Sequence, residues 1–472
     1  SMLWKQAAVT FPYFDRQKTD WDRAYREYLP KIMGAATDRE FHLLLAEFMN
    51  LFGDGHTDYL FPKSLQDEIG YLPFTLRFTQ NSYCIDAAIP EYQSYIGARV
   101  LSVNGVPFDH LLQEMKRYSY HVGNYLSRYR LHQILPFLLK STGNQAETSS
   151  GAFQFDLLSS KPDHLSSKML HLPDRYQQVN TGKLDIRLYG DILYIKLDNF
   201  MYGRAADEVR SAITQNSGIA GILFDLRENV GGMTMHGAKI AELLIPGEFH
   251  GCRKRTRSMT GIGLASASQI IQWSDEEIEN HIAAGYTTRE EIEESKSFMN
   301  NTHYDRYVDT YGAEDHRALF AGPCVILTSR HTVSAAEDFV AMFRTNKRAT
   351  VIGTETCGTT GTPLMQKLSC GGWMRICSVG YRLMDGTEFI GCGINPDIIC
   401  EILVDDFVNG YELMQSILPL RIAGISCIRI PTGKIDGVKK VYFIINTEEP
   451  IDVTAYSVSP IKTFSGITRS AP

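Results

Sequence analysis

The spacing of apolar positions changes along the chain, and the changes divide it. From residue 14 to 52 they recur at helical intervals, with Leu44, Phe48 and Leu51 placed on one buried face. Asp20-Trp21-Asp22-Arg23 opens one helix, and Thr37 with Glu40 three residues later reads as the capping box of the next. That helix is predicted to stop at the turn-forming Gly53-Asp54-Gly55-His56-Thr57. From about 70 to 112 the pattern alternates as in strands, with a tight Asn104-Gly105 turn between Val103 and Val106. Helical spacing returns over 108 to 140 through Leu111, Leu112, Met115, Leu131, Ile134, Leu135 and Leu138. Residues 141 to 180 are rich in Ser, Gly, Lys, Asn and Gln and predict a linker or loose hairpin.

Between 184 and 415 strand and helix patterns alternate. Ile192 to Leu197, Gly221 to Leu226 and Pro323 to Thr328 are short apolar runs of the kind that buried parallel strands carry. Met233 to Leu244 and Ser334 to Phe343 read as helices after two of them. Such alternation implies an α/β layer architecture. A polar stretch from 254 to 318 interrupts it and reads as an insertion, holding a helix from about Asp275 to Met299 and serving as a lid. Beyond 420, Val441 to Ile445 is a strand candidate with no functional reading.

At 472 residues the chain is too long for one ordinary core, so two or three domains are expected. With 44% apolar and 21% charged residues the composition is that of a globular protein, and a net charge of -7 argues against nucleic acid or an anionic membrane as main partner. No apolar run is long enough for a transmembrane helix. Nine scattered cysteines with no CxxC pair suggest neither a zinc ribbon nor a disulfide framework, and free cysteines favour a reducing, cytoplasmic setting. Ser1 ahead of Met2 reads as an expression remnant and leaves open a removed signal peptide, hence an extracytoplasmic location.

Four segments carry candidate chemistry. In Thr332-Val333-Ser334-Ala335-Ala336-Glu337, Ser334 falls at a helix N-terminus just after a buried strand. Backbone N–H groups there are unpaired and the field favours negative charge, which a serine oxygen attacking a carbonyl needs. The same residues also read as an ordinary capping box, Ser334 with Glu337. In Asn229-Val230-Gly231-Gly232, an N–H of Gly231 or Gly232 can serve as an oxyanion donor, the alternative being a bare tight turn. In Asp54-Gly55-His56-Thr57 the imidazole of His56, with an ordinary pKa of about 6.5, suits a general base, the alternative being a surface-turn histidine. Glu388, in a strand-like piece between glycines, can orient His56 from behind, the alternative being a solvent-exposed carboxylate. HExxH is absent and no second histidine sits at ligand spacing, so no metal and no cofactor is expected.

Taken in order, the stretches "FGDGHT", "ILFDLRENVGG", "TVSAAEDF" and "GCGINPDI" resemble the four signatures of the S41 peptidases, the tail-specific and tricorn-core-like serine proteases, over roughly residues 20 to 405. "IGARVLSVNGVPFDHLL" resembles the PDZ-like module such proteins often carry. The resemblance implies an α/β, crotonase/ClpP-like catalytic domain with an N-terminal helical region and a PDZ-like module. The expected boundaries are 1–68 helical, 69–118 PDZ-like, 119–183 helix and linker, 184–418 catalytic with the insertion 254–318, and a tail 419–472. It implies a serine peptidase with nucleophile Ser334, base His56, and an oxyanion hole from Ala335 with Gly231 or Gly232, acting on peptide or unfolded protein, with a homo-oligomer left open.

Two departures shape the expectation. Where the Ser-Lys branch carries its lysine this chain has Thr359, so the resemblance points to the histidine-using, tricorn-like branch. Where many relatives carry a glutamate this chain has Ile390, and Glu388 is expected to substitute from the same strand face, with Asp385 as runner-up. A catalytically silent peptide-binding scaffold is the competing reading from another class. A crotonase-type acyl-CoA enzyme is a third, less supported because the glycine turns lie beside a Ser and His ordered for acyl transfer.

Overall fold

The computed structural model describes residues 2–162 except 124, 184–257 except 190, 274–284, 288–293 except 291, and 304–401, with a few isolated positions beyond. The expected linker over 163–183 lies outside these residues, as does the strand expected over 441–445 apart from Val441, the last residue of Val438–Val441.

Helices Trp21–Met33 and Asp38–Asn50 start where the caps predicted, the Asp20 carboxylate accepting Arg23 N–H at 2.9 Å and the Thr37 hydroxyl accepting Glu40 N–H at 3.1 Å. The buried face of the second helix is His42, Leu45, Ala46, Phe48 and Met49, which shares Phe48 with the expected stripe while Leu44 and Leu51 are only half-buried. Its anchor is an aromatic cluster in which Trp21 stacks on Phe48 at 4.4 Å and Phe11 packs edge-on to Phe52 at 4.7 Å. This helical layer ends at Gly53, and the strand Asp58–Leu60 then leaves it to pair antiparallel with Trp373–Ile376, far along the chain.

Next, Phe74–Thr79 and Ser82–Ala88 form a hairpin, and Val106–Pro107, Val100–Val103, Asn144–Thr148 and Gly151–Phe155 make a four-stranded sheet in that order. The helix Phe108–Met115 packs beside it, but helical structure pauses until Arg128–Ile134, so the expected run over 108–140 is two helices and a loop. The expected loose hairpin is a true strand pair that adds to Val100–Val103, so this sheet continues past the boundary placed at 118.

The α/β layer is a six-stranded sheet in the order Ile398–Ile399, Thr350–Gly353, Cys324–Thr328, Gly221–Asp225, Ile192–Lys196 and Asp185–Tyr189, parallel except for the last. Strand side chains alternate between two faces. Leu193, Ile195, Ile222, Phe224 and Ile326 meet the helices Ala205–Gln215, Thr234–Ala241 and Ala335–Thr345, while Ile192, Tyr194, Leu223, Val325 and Leu327 form a smaller cluster opposite. The stretch read as an insertion begins earlier than expected. Phe249–Arg257 and Tyr304–Tyr311 pair antiparallel and join Val379–Arg382, so both arms belong to a three-stranded sheet. Of the helix expected from Asp275 to Met299, Asp275–Ala283 is helical. Among the described residues no helix is long and apolar enough to cross a membrane.

Phe339 is fully buried against Phe200, Phe224 and Phe343, their ring centroids 5.4, 5.4 and 4.6 Å away. Phe339→Ala is expected to cost about 3–5 kcal/mol through the cavity it leaves, read as a lowered midpoint in denaturant unfolding.

Candidate active site

Strands Gly221–Asp225 and Cys324–Thr328 are parallel neighbours, so the loops at their carboxyl ends lie side by side. Hydrogen bonds stitch those loops together. Thr332 Oγ1 donates to Leu226 O at 2.8 Å and Val333 N–H reaches Asn229 O at 2.9 Å, while within the second loop Thr332 Oγ1 also accepts Ser329 N–H at 3.0 Å. The second loop ends in Ser334, whose φ is 59° and ψ -127°. An N-cap residue normally has extended backbone. A serine at positive φ is strained by on the order of 1–3 kcal/mol, and such strain persists only where the surroundings over-determine it. Here they do. Ser334 N–H donates to Thr359 O at 2.9 Å and toward Glu337 Oε2 at 3.3 Å. A Cβ on Gly231 would lie 2.6 Å from the Ser334 Cβ, so glycine is required beside it.

This backbone sends Ser334 Oγ to within 3.1 Å of His56 Nε2. The buried histidine is held by its own turn and by the strand that follows. The Asp54 carboxylate accepts His56 N–H at 2.9 Å, Thr57 Oγ1 accepts Cys377 N–H at 3.0 Å, and Arg375 Nη2 donates to Gly55 O at 2.7 Å. Arg375 also grips the Asp58 carboxylate, Nε to Oδ1 at 2.9 Å, and Arg130 pairs with the same carboxylate. Burial pushes the Asp54 carboxyl up to about 6, against the pull of its donors and of Arg375.

Of the expected oxyanion donors, Gly231 N–H is already given to Asn229 Oδ1 at 2.9 Å, which corrects its place in the trio. Gly232 N–H and Ala335 N–H have no hydrogen-bond partner among the described residues.

Glu388 is not brought to His56. Residues 383–391 are turn and coil, so the strand face that paired positions 388 and 390 does not exist there. Phe389 takes the buried direction, and the Glu388 carboxylate pairs with Arg16 at 2.7 Å and with Arg382. Asp385 is exposed and accepts Thr387 N–H at 2.8 Å, a contact that holds its carboxyl below the ordinary value. Instead His56 Nδ1 meets Thr359 Oγ1 at 2.5 Å. Gly55 permits this approach, since a Cβ there would sit 2.4 Å from Thr359 Oγ1. Behind Thr359 stands Glu337, read from sequence only as a capping residue. Its Oε1 accepts Thr356 Oγ1–H at 2.5 Å and Gly358 N–H at 2.8 Å, and its Oε2 accepts Thr359 N–H at 2.8 Å. Burial nonetheless pushes this carboxyl up to about 8.

A mixed α/β protein in which a strained serine meets a histidine from a distant turn is the class defined by this fold and site. Residues 191–400 match peptidase family S41 and residues 1–50 match the tricorn protease C1 domain, two matches that support an S41 family peptidase. A carboxy-terminal-processing protease of Bartonella bacilliformis is 30% identical over 91 residues, 19% of this chain and 21% of that protein. The chloroplastic C-terminal processing peptidase of Tetradesmus obliquus is 23% identical over 235 residues, 49% of this chain and 40% of that protein. The matched stretches therefore span less than half of either curated relative. The fold is similar to the crystal structure of mature CPAF, with a TM-score of 0.59 at 13% identity, covering 89% of this chain and 97% of that one.

Next to Glu337, Asp338 is also buried, and it accepts Thr234 Oγ1–H at 2.6 Å and Thr360 Oγ1–H at 3.0 Å. Burial raises its carboxyl from 3.8 to about 6, so over that interval the folded state binds a proton that the unfolded state has released. Stability then falls as pH rises. The stability of the wild type relative to Asp338→Asn is expected to drop by about 3 kcal/mol between roughly pH 4 and 6 and to level off above, measured by denaturant unfolding across pH.

Proposed function

We propose that this chain is a serine peptidase that hydrolyses peptide bonds through an acyl-enzyme on Ser334, with His56 as general base. The observation that carries the reading is a serine held at φ 59° with its Oγ 3.1 Å from the imidazole of His56. A bare capping serine has no need of a strained backbone or a buried histidine.

In this mechanism His56 Nε2 takes the hydroxyl proton as Ser334 Oγ attacks the scissile carbonyl. Gly232 N–H and Ala335 N–H, both without a partner among the described residues, receive the developing oxyanion. The imidazolium returns its proton to the leaving amine, and a water activated the same way releases the acyl group. The substrate is a peptide or unfolded protein, in keeping with the C-terminal processing named for the two curated relatives. We read the sheets between Phe74 and Phe155 as the PDZ-like module. The catalytic layer is read as crotonase-like, supported by its parallel strands, which succeed one another across the sheet in chain order.

Wild-type protein is expected to be labelled at Ser334 by a fluorophosphonate probe and to hydrolyse an unfolded protein substrate. Ser334→Ala is expected to lose labelling and to lower turnover by on the order of 10⁴ or more while unfolding at a similar temperature. A folded wild-type protein that neither labels nor cleaves favours the silent peptide-binding scaffold.

A further inference from the structure

We propose that Thr359 is the positioning residue of His56, its hydroxyl accepting the Nδ1 proton in the place where a triad carries a carboxylate. The inference rests on the Ser334–His56 reading and goes beyond it. A histidine base works only as the tautomer whose Nε2 is bare, and the group at Nδ1 decides which tautomer that is. No acid expected from sequence occupies that position, whereas Thr359 Oγ1 lies 2.5 Å from Nδ1.

Thr359 is built into the site at three points. Its carbonyl accepts the Ser334 N–H at 2.9 Å, its own N–H donates to Glu337 Oε2 at 2.8 Å, and its hydroxyl meets His56. One residue therefore touches the strained nucleophile, the base and the carboxylate at the start of the nucleophile's helix. Thr356 Oγ1 accepts Ile394 N–H at 2.7 Å, which turns its proton toward Glu337 Oε1. Glu337 is thus an acceptor toward Thr356, Gly358, Thr359 and Ser334, and it fixes the loop from which Thr359 points. Asp338 holds the next residue, Thr360, through its hydroxyl. Gly55 completes the fit, because any Cβ there would push the Thr359 hydroxyl away.

The arrangement differs physically from a carboxylate triad. A neutral hydroxyl sets the tautomer and ring orientation, but it cannot neutralise the imidazolium directly. The nearest acid in the chain of contacts, Glu337, acts one hydrogen bond further back, through the Thr359 backbone.

Two measurements test this. The first is nitrogen NMR of His56 in the wild-type protein above its titration, where the Nδ1–H tautomer is expected to dominate. A dominant Nε2–H tautomer would overturn the proposal without any variant. The second is the rate of fluorophosphonate labelling at Ser334. Thr359→Val keeps the shape and removes the hydroxyl, and is expected to slow labelling by about 10- to 100-fold while raising the Nε2–H fraction. Thr359→Ser restores the hydroxyl and is expected to label within about threefold of wild type. Equal labelling of wild type and Thr359→Val, or equal loss in the Ser and Val variants, overturns the role of the hydroxyl. A wild type that does not label overturns the Ser334–His56 reading instead.

Discussion

The site depends on one buried carboxylate. Glu337 sits in the first turn of Ala335–Thr345, where the helix field favours negative charge, and it takes donors from both the helix start and the loop 356–359. A carboxylate removed from water is costly unless its lone pairs are filled. Four donors are directed at its two oxygens, and the geometry that fills them also fixes the strained serine and the loop across from it. Burial still lifts the Glu337 carboxyl to about 8, so the balance between these two effects is close.

A second constraint brings in the histidine. The turn that carries it belongs to the N-terminal helices, yet the strand after it is the neighbour of Trp373–Ile376. Asp58 lies on that seam with Arg375 and Arg130 both directed at it. Removing one partner of a buried ion group leaves an uncompensated charge, which is far more damaging than the loss of a surface pair. The seam therefore fixes where the histidine stands by making other placements of Asp58–Leu60 expensive.

Much of this was legible in the sequence because it is local. Asp20 and Thr37 mark helix starts, apolar runs mark buried strands, and a serine or a glycine pair at a strand-to-helix turn can be recognised by its neighbours. What escaped was of two kinds. The reading of Glu388 applied strand periodicity to a segment that is turn and coil, and Phe389 had the stronger claim on the interior. The partner of the His56 Nδ1 is a tertiary contact across 303 residues, and spacing carries no trace of it. A signal did exist in Thr356-Cys357-Gly358-Thr359-Thr360, where hydroxyl residues cluster opposite the two acids Glu337-Asp338, a pairing that becomes visible only once the loop and helix are known to face each other. The antiparallel hairpin 144–155 was legible only as a linker or loose hairpin, since its exposed face is polar and only Ala146, Phe153 and Phe155 are apolar residues on the buried one.

The wide separation of the proposed base and nucleophile has a consequence for the chain's own synthesis. His56 precedes Ser334 by 278 residues. At ribosomal rates of about 5–20 residues per second, that interval lasts roughly 15 to 55 seconds. Through all of it the emerging polypeptide holds an imidazole with nothing to activate, and the strand that seats it, Trp373–Ile376, is translated later still. On the proposed chemistry, a nascent chain is harmless to its neighbours and to the translation machinery until nearly the whole catalytic layer has left the exit tunnel, and truncated products released before that point are inert.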